Sequence, residues 1–235
     1  MNITRLELLT ADLPAQQTFY ANILQLPGKI TSSGLEVKAG QTELLFTQAP
    51  PYFEGAYHFA FNIPANQFES AKEWMSDRLL LLRDENGQDE FKSESWNSES
   101  VYFKDPAGNV LEFIARHNLE KAGEGEFDGR HILNISEIGL PSDDVLAFAD
   151  QLCRQLGLFI FKQEPNETFT PVGDDHGLLI VPIKNRIWIP NSGVPAKLQT
   201  VKVRGNANGK EWEVRGRRSL RNPEFEMNIF RFQCK

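Results

Sequence analysis

The sequence lacks several features that mark particular classes of protein. Its 235 residues include two cysteines, Cys153 and Cys234, which form neither a CxxC metal pattern nor a disulfide framework. No apolar run approaches the ~18 residues that a membrane helix needs, and we expect no secretory leader. These absences predict a cytoplasmic, reducing setting with no membrane partner.

An excess of positive charge is also missing. The chain has 25 Lys and Arg against 32 Asp and Glu, a net charge of −7, which argues against a general nucleic-acid binder. The segment Gly205–Gly209 lacks the lysine that a phosphate-binding loop requires. Hydrophobic residues make up 40% of the chain and charged residues 24%, a balance typical of a globular protein with a real core.

What the sequence does contain is a recurring order of strands and helices. A strand, a helix and further short strands occupy residues 3–47, and the same order restarts at Tyr57 and again at Ile135. A fourth cycle starts at Leu198 but has a glycine-rich segment in place of the helix. Repeats of about 50–60 residues indicate a modular protein. The pattern predicts an α+β fold of repeated βαβββ modules.

A polar, glycine-rich stretch separates the first two cycles from the last two. We predict a first domain at residues 1–117 with two modules, a linker at 118–130, and a second domain at 131–235 with a shortened last module.

The most informative segment is a turn that leads into an apolar strand. Asp105–Asn109 combines a proline, which fixes φ, with a glycine and an asparagine that tolerate positive φ. The strand Val110–Ile114 follows and has Glu112 at its centre. A carboxylate in such a strand either faces water or is neutralised by a cation, a metal or hydrogen-bond donors. Glu112 is therefore the first candidate for a catalytic residue.

These segments resemble the vicinal oxygen chelate superfamily, which includes glyoxalases, extradiol ring-cleavage dioxygenases and bleomycin-resistance proteins. The resemblance covers nearly the whole chain and rests on Asp105–Phe113, Tyr57–Phe61, Ile3–Leu8 and Val172–Leu178. It implies cupped, incompletely closed barrels of paired modules in two tandem domains. It also implies a small-molecule ligand in a cup, bound by a lyase, an isomerase, a dioxygenase or a non-catalytic protein.

The resemblance also implies metal ligands, residue by residue. His58 matches the histidine on the first strand of a module, and Glu112 matches the glutamate on its last strand. This pair suits one divalent Fe, Mn, Ni or Zn ion. A further ligand position falls on Arg5, which cannot ligate a cation. The matching position of the third module is Glu137, where we expect no metal.

Three interpretations of these residues stay open. In the first, His58 and Glu112 hold a metal in an enzyme. In the second, Arg5 pairs with Glu112, as guanidinium–carboxylate geometry favours, in a metal-free pocket for an anionic or carbonyl-bearing ligand. In the third, His58 is a core residue without function. The sequence does not decide between a monomer and a homodimer. Aromatic residues at loops and strand ends are candidate walls of the cup: Tyr52, Phe53 and Trp96.

Overall fold

The structure, a computed structural model, describes residues 1–51, 53, 55–218 and 225–233. Tyr52 and Cys234 lie outside this part of the chain. Its strands form two seven-stranded mixed sheets. No helix in the described ranges is long and apolar enough to cross a membrane.

The first two modules have the predicted order of elements. The first comprises β1 (Asn2–Thr10), α1 (Leu13–Asn22), β2 (Gly28–Thr31), β3 (Gly34–Ala39) and β4 (Thr42–Gln48). The second comprises β5 (His58–Ile63), α2 (Phe68–Ser76), β6 (Phe91–Ser93), β7 (Ser98–Lys104) and β8 (Val110–Arg116). The predicted βαβββ unit is confirmed in both.

The last two modules have fewer elements among their described residues. The third comprises β9 (Asn134–Gly139), α3 (Val145–Leu156), β10 (Phe169–Asp174) and β11 (Gly177–Pro182). The fourth has no helix among its described residues and comprises β12 (Val201–Ala207), β13 (Lys210–Arg218) and β14 (Phe225–Gln233). Positive φ angles at Asn208 (52°) and Gly209 (70°) close the β12–β13 hairpin where the other modules place a helix.

The residue patterns at 79–83, 88–96 and 158–163 predict a strand in each segment. Residues 79–83 form no strand, and the segment 88–96 contains only the short β6. The strand predicted at 158–163 is reduced to a single bridge between Ile160 and Val172, because the positive φ of Lys162 (48°) interrupts the extended backbone.

Each sheet joins modules that are distant in the sequence. The first sheet has the order β14-β13-β12-β1-β4-β3-β2, and the second has the order β10-β11-β9-β5-β8-β7-β6. The first module therefore meets the fourth through β1 and β12, and the second meets the third through β5 and β9. The second sheet curls into a half-barrel. Residues 118–130 connect β8 to β9, and the domain boundary placed there stays a prediction.

Local signals in the sequence fix the helix ends. Asp12 and Asp144 cap α1 and α3 by accepting hydrogen bonds from backbone amides at 2.9 and 3.0 Å. Gly157, in the left-handed conformation, ends α3. The apolar faces of the helices pack with both sheets in one large buried core, which includes Phe46 and Phe113.

The turn before β8 fixes the position of that strand against β5. One carboxylate oxygen of Asp105 accepts from the backbone amides of Ala107 and Asn109 at 2.9 and 3.0 Å, and the other accepts from the side chains of Asn109 and Gln16 at 2.7 and 2.9 Å. The side-chain oxygen of Asn109 in turn accepts from the backbone amide of Tyr57 at 2.8 Å. Burial nevertheless raises the pKa of Asp105 to about 6. The turn therefore ties the beginning of β8 to the residue that precedes β5.

We expect Asn109→Ala to lower the free energy of unfolding by about 2–4 kcal/mol, because it removes two buried hydrogen bonds and leaves the amide of Tyr57 unsatisfied. Urea denaturation measures the change. The matched control is Asn22→Ala, at an exposed position at the end of α1, which should change stability by less than about 0.5 kcal/mol. A loss below about 1 kcal/mol in Asn109→Ala would show that the turn does not set the strand register.

Candidate metal centre in the second sheet

Three neighbouring strands bring two glutamates together across a small residue. Ala60 on β5 lies opposite Glu112 on β8 and opposite Glu137 on β9. Alternation along β5 places His58 on the same face as Ala60. Because Ala60 carries only a methyl group, both carboxylates can lean toward each other above it. Strand pairing, rather than proximity in sequence, therefore assembles the centre.

The three side chains converge in a buried site. One ligand-type atom from each of His58, Glu112 and Glu137 lies within 4.8 Å of the other two. The Nε2 atom of His58 is 3.6 Å from a carboxylate oxygen of Glu112. His58 is 6% exposed and each glutamate is 3% exposed. Buried groups of this kind require a proton, a cation or hydrogen-bond donors for neutralisation.

His58 is held as a neutral imidazole. The pKa of His58 is lowered to about 4, mainly by burial and further by the charge of Arg186. The hydrogen bond to the Val110 carbonyl has a smaller, raising effect on this pKa. The Nδ1 atom lies 3.1 Å from the Val110 oxygen, so we assign the proton to Nδ1 as the donor to this carbonyl. The lone pair of Nε2 then points toward Glu112. This is the tautomer and orientation that metal-ligating histidines adopt.

Glu112 favours its protonated form. Burial raises its pKa most, and the negative charge of Glu137 raises it further. Ser100, Arg116 and Tyr102 have smaller, opposite effects on the same group. In the absence of a cation, Glu112 therefore holds a proton at higher pH than an exposed glutamate does.

Glu137 has a guanidinium partner. Arg116 at the end of β8 forms a buried ion pair with it, and the Nε atom of Arg116 donates to the side-chain oxygen of Asn62 at 3.2 Å. Burial raises the pKa of Glu137 even so, with Arg116 opposing the rise. With both glutamates ionised, one guanidinium leaves a net negative charge, which a proton or a bound cation would neutralise.

The three residues lie in a cavity of about 330 Å³. Its lining mixes aromatic, polar and aliphatic side chains and includes Trp96, one of the predicted wall residues. Phe53, another of them, instead stacks on Tyr57 with 6.4 Å between ring centroids. The volume falls within the usual range for small-molecule sites.

Sequence reasoning identified two members of this cluster and missed the third. His58 and Glu112 lie together as expected, but Arg5 lies in the first sheet, where it pairs with Glu7 at 2.8 Å and Glu43 at 2.9 Å. The expected Arg5–Glu112 ion pair is therefore wrong, because β1 is bonded to β4 and β12 and not to the strands of the site.

Glu137 is the residue that was set aside. Glu137 occupies the position in its module that His58 occupies in the second module, and this match was the available signal. The assumption that consecutive modules pair placed the two residues in different cups. The observed pairing of β5 with β9 places it in the site.

The chemistry of this donor set fits a divalent cation. One imidazole nitrogen and two carboxylates are ligands that Mn, Fe, Ni and Zn accept. Glu112 on β8 lies opposite Ala60, two residues after His58 on β5. The equivalent position on β11 lies opposite Gly139, two residues after Glu137 on β9, and is occupied by Ile180, whose side chain cannot ligate a metal. The cluster would thus offer three donors to a cation and leave other coordination positions to water or substrate, as catalytic sites do.

Comparison with known proteins shows likeness at the level of fold. No family model and no curated protein matches the chain. A candidate dioxygenase from Bacillus subtilis subsp. subtilis str. 168 aligns with 92% of this chain and 81% of its own, at 14% identity and a TM-score of 0.59. This likeness over nearly the whole chain confirms the fold that the sequence resemblance predicted.

Two further structures match about half of the chain. A glyoxalase/bleomycin resistance protein/dioxygenase from Nocardioides matches 54% of this chain and 89% of its own, at 21% identity and a TM-score of 0.40. A lactoylglutathione lyase from Agrobacterium tumefaciens matches 48% and 92%, at 25% identity and a TM-score of 0.36.

We expect the His58 ring of metal-free protein to titrate with a midpoint near 4, measured by nitrogen-detected NMR of the ring and assigned with His58→Gln. Since this pKa lies below the ordinary value of 6.5, the unfolded chain takes up the proton first. The stabilisation from neutral His58 is complete above about 6.5 and is lost as the pH falls toward 4. The stability advantage of wild type over His58→Gln should shrink in that window; a midpoint near 6.5 would contradict the buried neutral ring.

We expect Arg116→Met to lower the free energy of unfolding by about 3–5 kcal/mol, because it leaves Glu137 buried without its cation. Adding Glu137→Gln should restore at least half of the loss. The matched control is Arg5→Met, whose half-exposed ion pairs should contribute at most about 1 kcal/mol. Chemical denaturation of the variants tests this, and a loss in Arg116→Met no larger than that in Arg5→Met would contradict the assignment of Arg116 as the cation that neutralises Glu137.

Proposed function

Since the chain has the fold of the vicinal oxygen chelate superfamily, we propose that it is a metal-dependent enzyme whose centre is His58, Glu112 and Glu137. Its reaction class is that of a lyase or isomerase acting on a small molecule with neighbouring oxygens. The observation that supports this most is the convergence of three metal-ligand side chains, within 4.8 Å, in a cavity of ligand size.

The donor set favours proton transfer over ring cleavage by oxygen. Non-haem iron oxygenases commonly use two histidines and one carboxylate, whereas this centre has one histidine and two carboxylates. A bound divalent ion would polarise the substrate oxygens and acidify the neighbouring C–H bond. The residues of the chain would carry out the remaining steps of the reaction.

Glu112 is the residue that moves the proton. Burial raises the pKa of Glu112 in the metal-free site, and a bound cation would lower it again, which would leave a carboxylate able to accept the substrate proton. Glu112 would then return that proton to the substrate as a general acid. The hydroxyls of Ser100 and Tyr102 are the neighbouring groups that stabilise its charged form.

The other residues orient the centre and exclude water. The Val110 carbonyl fixes the ring of His58, and Arg116 fixes Glu137. Trp188 packs on His58 with 4.7 Å between ring centroids and covers the imidazole. Such a dry setting strengthens every charge interaction with a bound substrate.

A second candidate is a metal-free, non-catalytic binding protein. It is favoured by the Arg116–Glu137 ion pair and by the raised pKa of Glu112, which together leave the site neutral with no metal. In this alternative a guanidinium neutralises a buried glutamate, as the sequence suggested, but the residues are Arg116 and Glu137 rather than Arg5 and Glu112.

Metal titration separates the two candidates. We expect protein purified without chelators to bind about one Mn, Fe(II), Ni or Zn ion per chain, measured by elemental analysis and calorimetry, with Fe(II) handled without oxygen. His58→Ala, Glu112→Gln and Glu137→Gln should each weaken binding by at least the roughly tenfold to hundredfold that loss of an outer-shell partner causes. Glu43→Gln, in the first sheet, is the matched control and should not change the affinity.

Two results would sink the metal proposal. One is wild-type protein that neither binds these ions nor gains thermal stability from them. The other is binding that survives Glu112→Gln and Glu137→Gln unchanged. Either outcome would favour the metal-free binding protein over the enzyme.

A further inference from the structure

A cation without an acidic partner lines the cavity. Arg186, on the segment between β11 and β12, is half-buried against the ring of Phe169, with 4.8 Å from its guanidinium carbon to the ring centroid. The described residues offer its side chain no ion pair. Lys92, the other lysine or arginine of the lining, is in contrast paired with Glu90 at 3.3 Å and Glu99 at 2.7 Å.

The setting of Arg186 calls for an anion. Burial lowers its pKa, which reports the unfavourable loss of water around the charge. A guanidinium presents donors in a planar fork that matches a carboxylate or another oxyanion. The charge of Arg186 also acts on His58 and interacts with Tyr102, so it lies within electrostatic range of the centre.

Aromatic rings form part of the cavity lining. Trp96 and Phe169 stack with an interplanar angle of 28° and 6.4 Å between centroids. Trp188 lies against His58, and its indole nitrogen is buried without a hydrogen-bond partner among the described residues. Tyr102 is a further aromatic lining residue. Planar ligands gain most from such walls, because offset stacking adds to the area that they bury.

The cavity lining carries charges of both signs. Glu112 and Glu137 repel an anion unless a cation is present, whereas Arg186 attracts one. A ligand with a single anionic group would therefore bind with that group toward Arg186. Its ring would then lie against the aromatic side chains of the lining.

We propose that the cavity binds a planar aromatic molecule with an anionic group, and that Arg186 is the residue that recognises this group. As a statement about substrate, it rests on the proposed function, because it names the class of molecule on which that centre would act. As a statement about binding, it requires no metal. The cavity volume of about 330 Å³ suits a molecule of one or two fused rings.

Binding of three probes to metal-stripped protein tests the inference. 2-Naphthoate has both the ring and the charge, 2-naphthamide is its neutral isostere, and cyclohexanecarboxylate has the charge without the flat ring. Calorimetry and tryptophan fluorescence measure the affinities, since Trp96 and Trp188 line the cavity. We expect naphthoate to bind at least about tenfold tighter than naphthamide, as loss of a charged hydrogen bond predicts, and also tighter than cyclohexanecarboxylate, which cannot stack on the aromatic side chains.

Variants assign the preference to one residue. Arg186→Met should abolish the difference between naphthoate and naphthamide, and Arg186→Lys should keep part of it. Lys92→Met, which removes a paired cation from the same lining, should keep all of it. Unchanged affinity for naphthamide in Arg186→Met shows that the cavity is intact, so that loss of the preference cannot be ascribed to misfolding.

Equal binding of naphthoate and naphthamide by wild type, or a preference that survives Arg186→Met, would overturn the inference. The result is separable from the proposed function because the probes are measured without metal. Loss of metal binding with the preference retained would overturn the metal centre alone. Metal binding without any preference would overturn the role of Arg186 alone.

Discussion

The pairing of β5 with β9 is the interaction on which the centre depends. It joins the second module to the third, and it sets Glu137 opposite Ala60, on the far side of β5 from Glu112. A displacement of one residue in this pairing would turn Glu137 to the other face of the sheet, where the apolar core lies. The chemistry of the site is thus decided by backbone hydrogen bonds between strands whose first residues are 76 positions apart.

The two buried glutamates must be neutralised by other groups of the site. Arg116 neutralises one of them, and the neutral ring of His58 contributes no charge. The second negative charge requires either a proton on Glu112 or a cation between the three residues. The same residues would therefore be neutral either with a bound divalent ion or with a proton on Glu112, and the balance would depend on how strongly the ion competes with the proton.

Local signals made much of the fold predictable. The capping aspartates, the Asp105 turn and the alternation around His58 and Glu112 depend on neighbours in the sequence, and all three are found in the structure. The partner of each module was not predictable in this way. First strands such as β1 and β5 have similar apolar patterns, so either could pair with the first strand of a later module. That ambiguity is why Arg5 was joined to Glu112 and why Glu137 was set aside.

The distribution of charge in the cavity connects the two proposals. An anionic group at Arg186 would neutralise a partly buried guanidinium, while a divalent ion would neutralise the glutamates of the same lining. A substrate that contacts both would be held at two separate charges and against aromatic side chains, which fixes its orientation as well as its position. Orientation of this kind lowers the entropic barrier to reaction at Glu112. Arg186 would thus contribute to the rate as well as to affinity, although it lies outside the set of metal ligands.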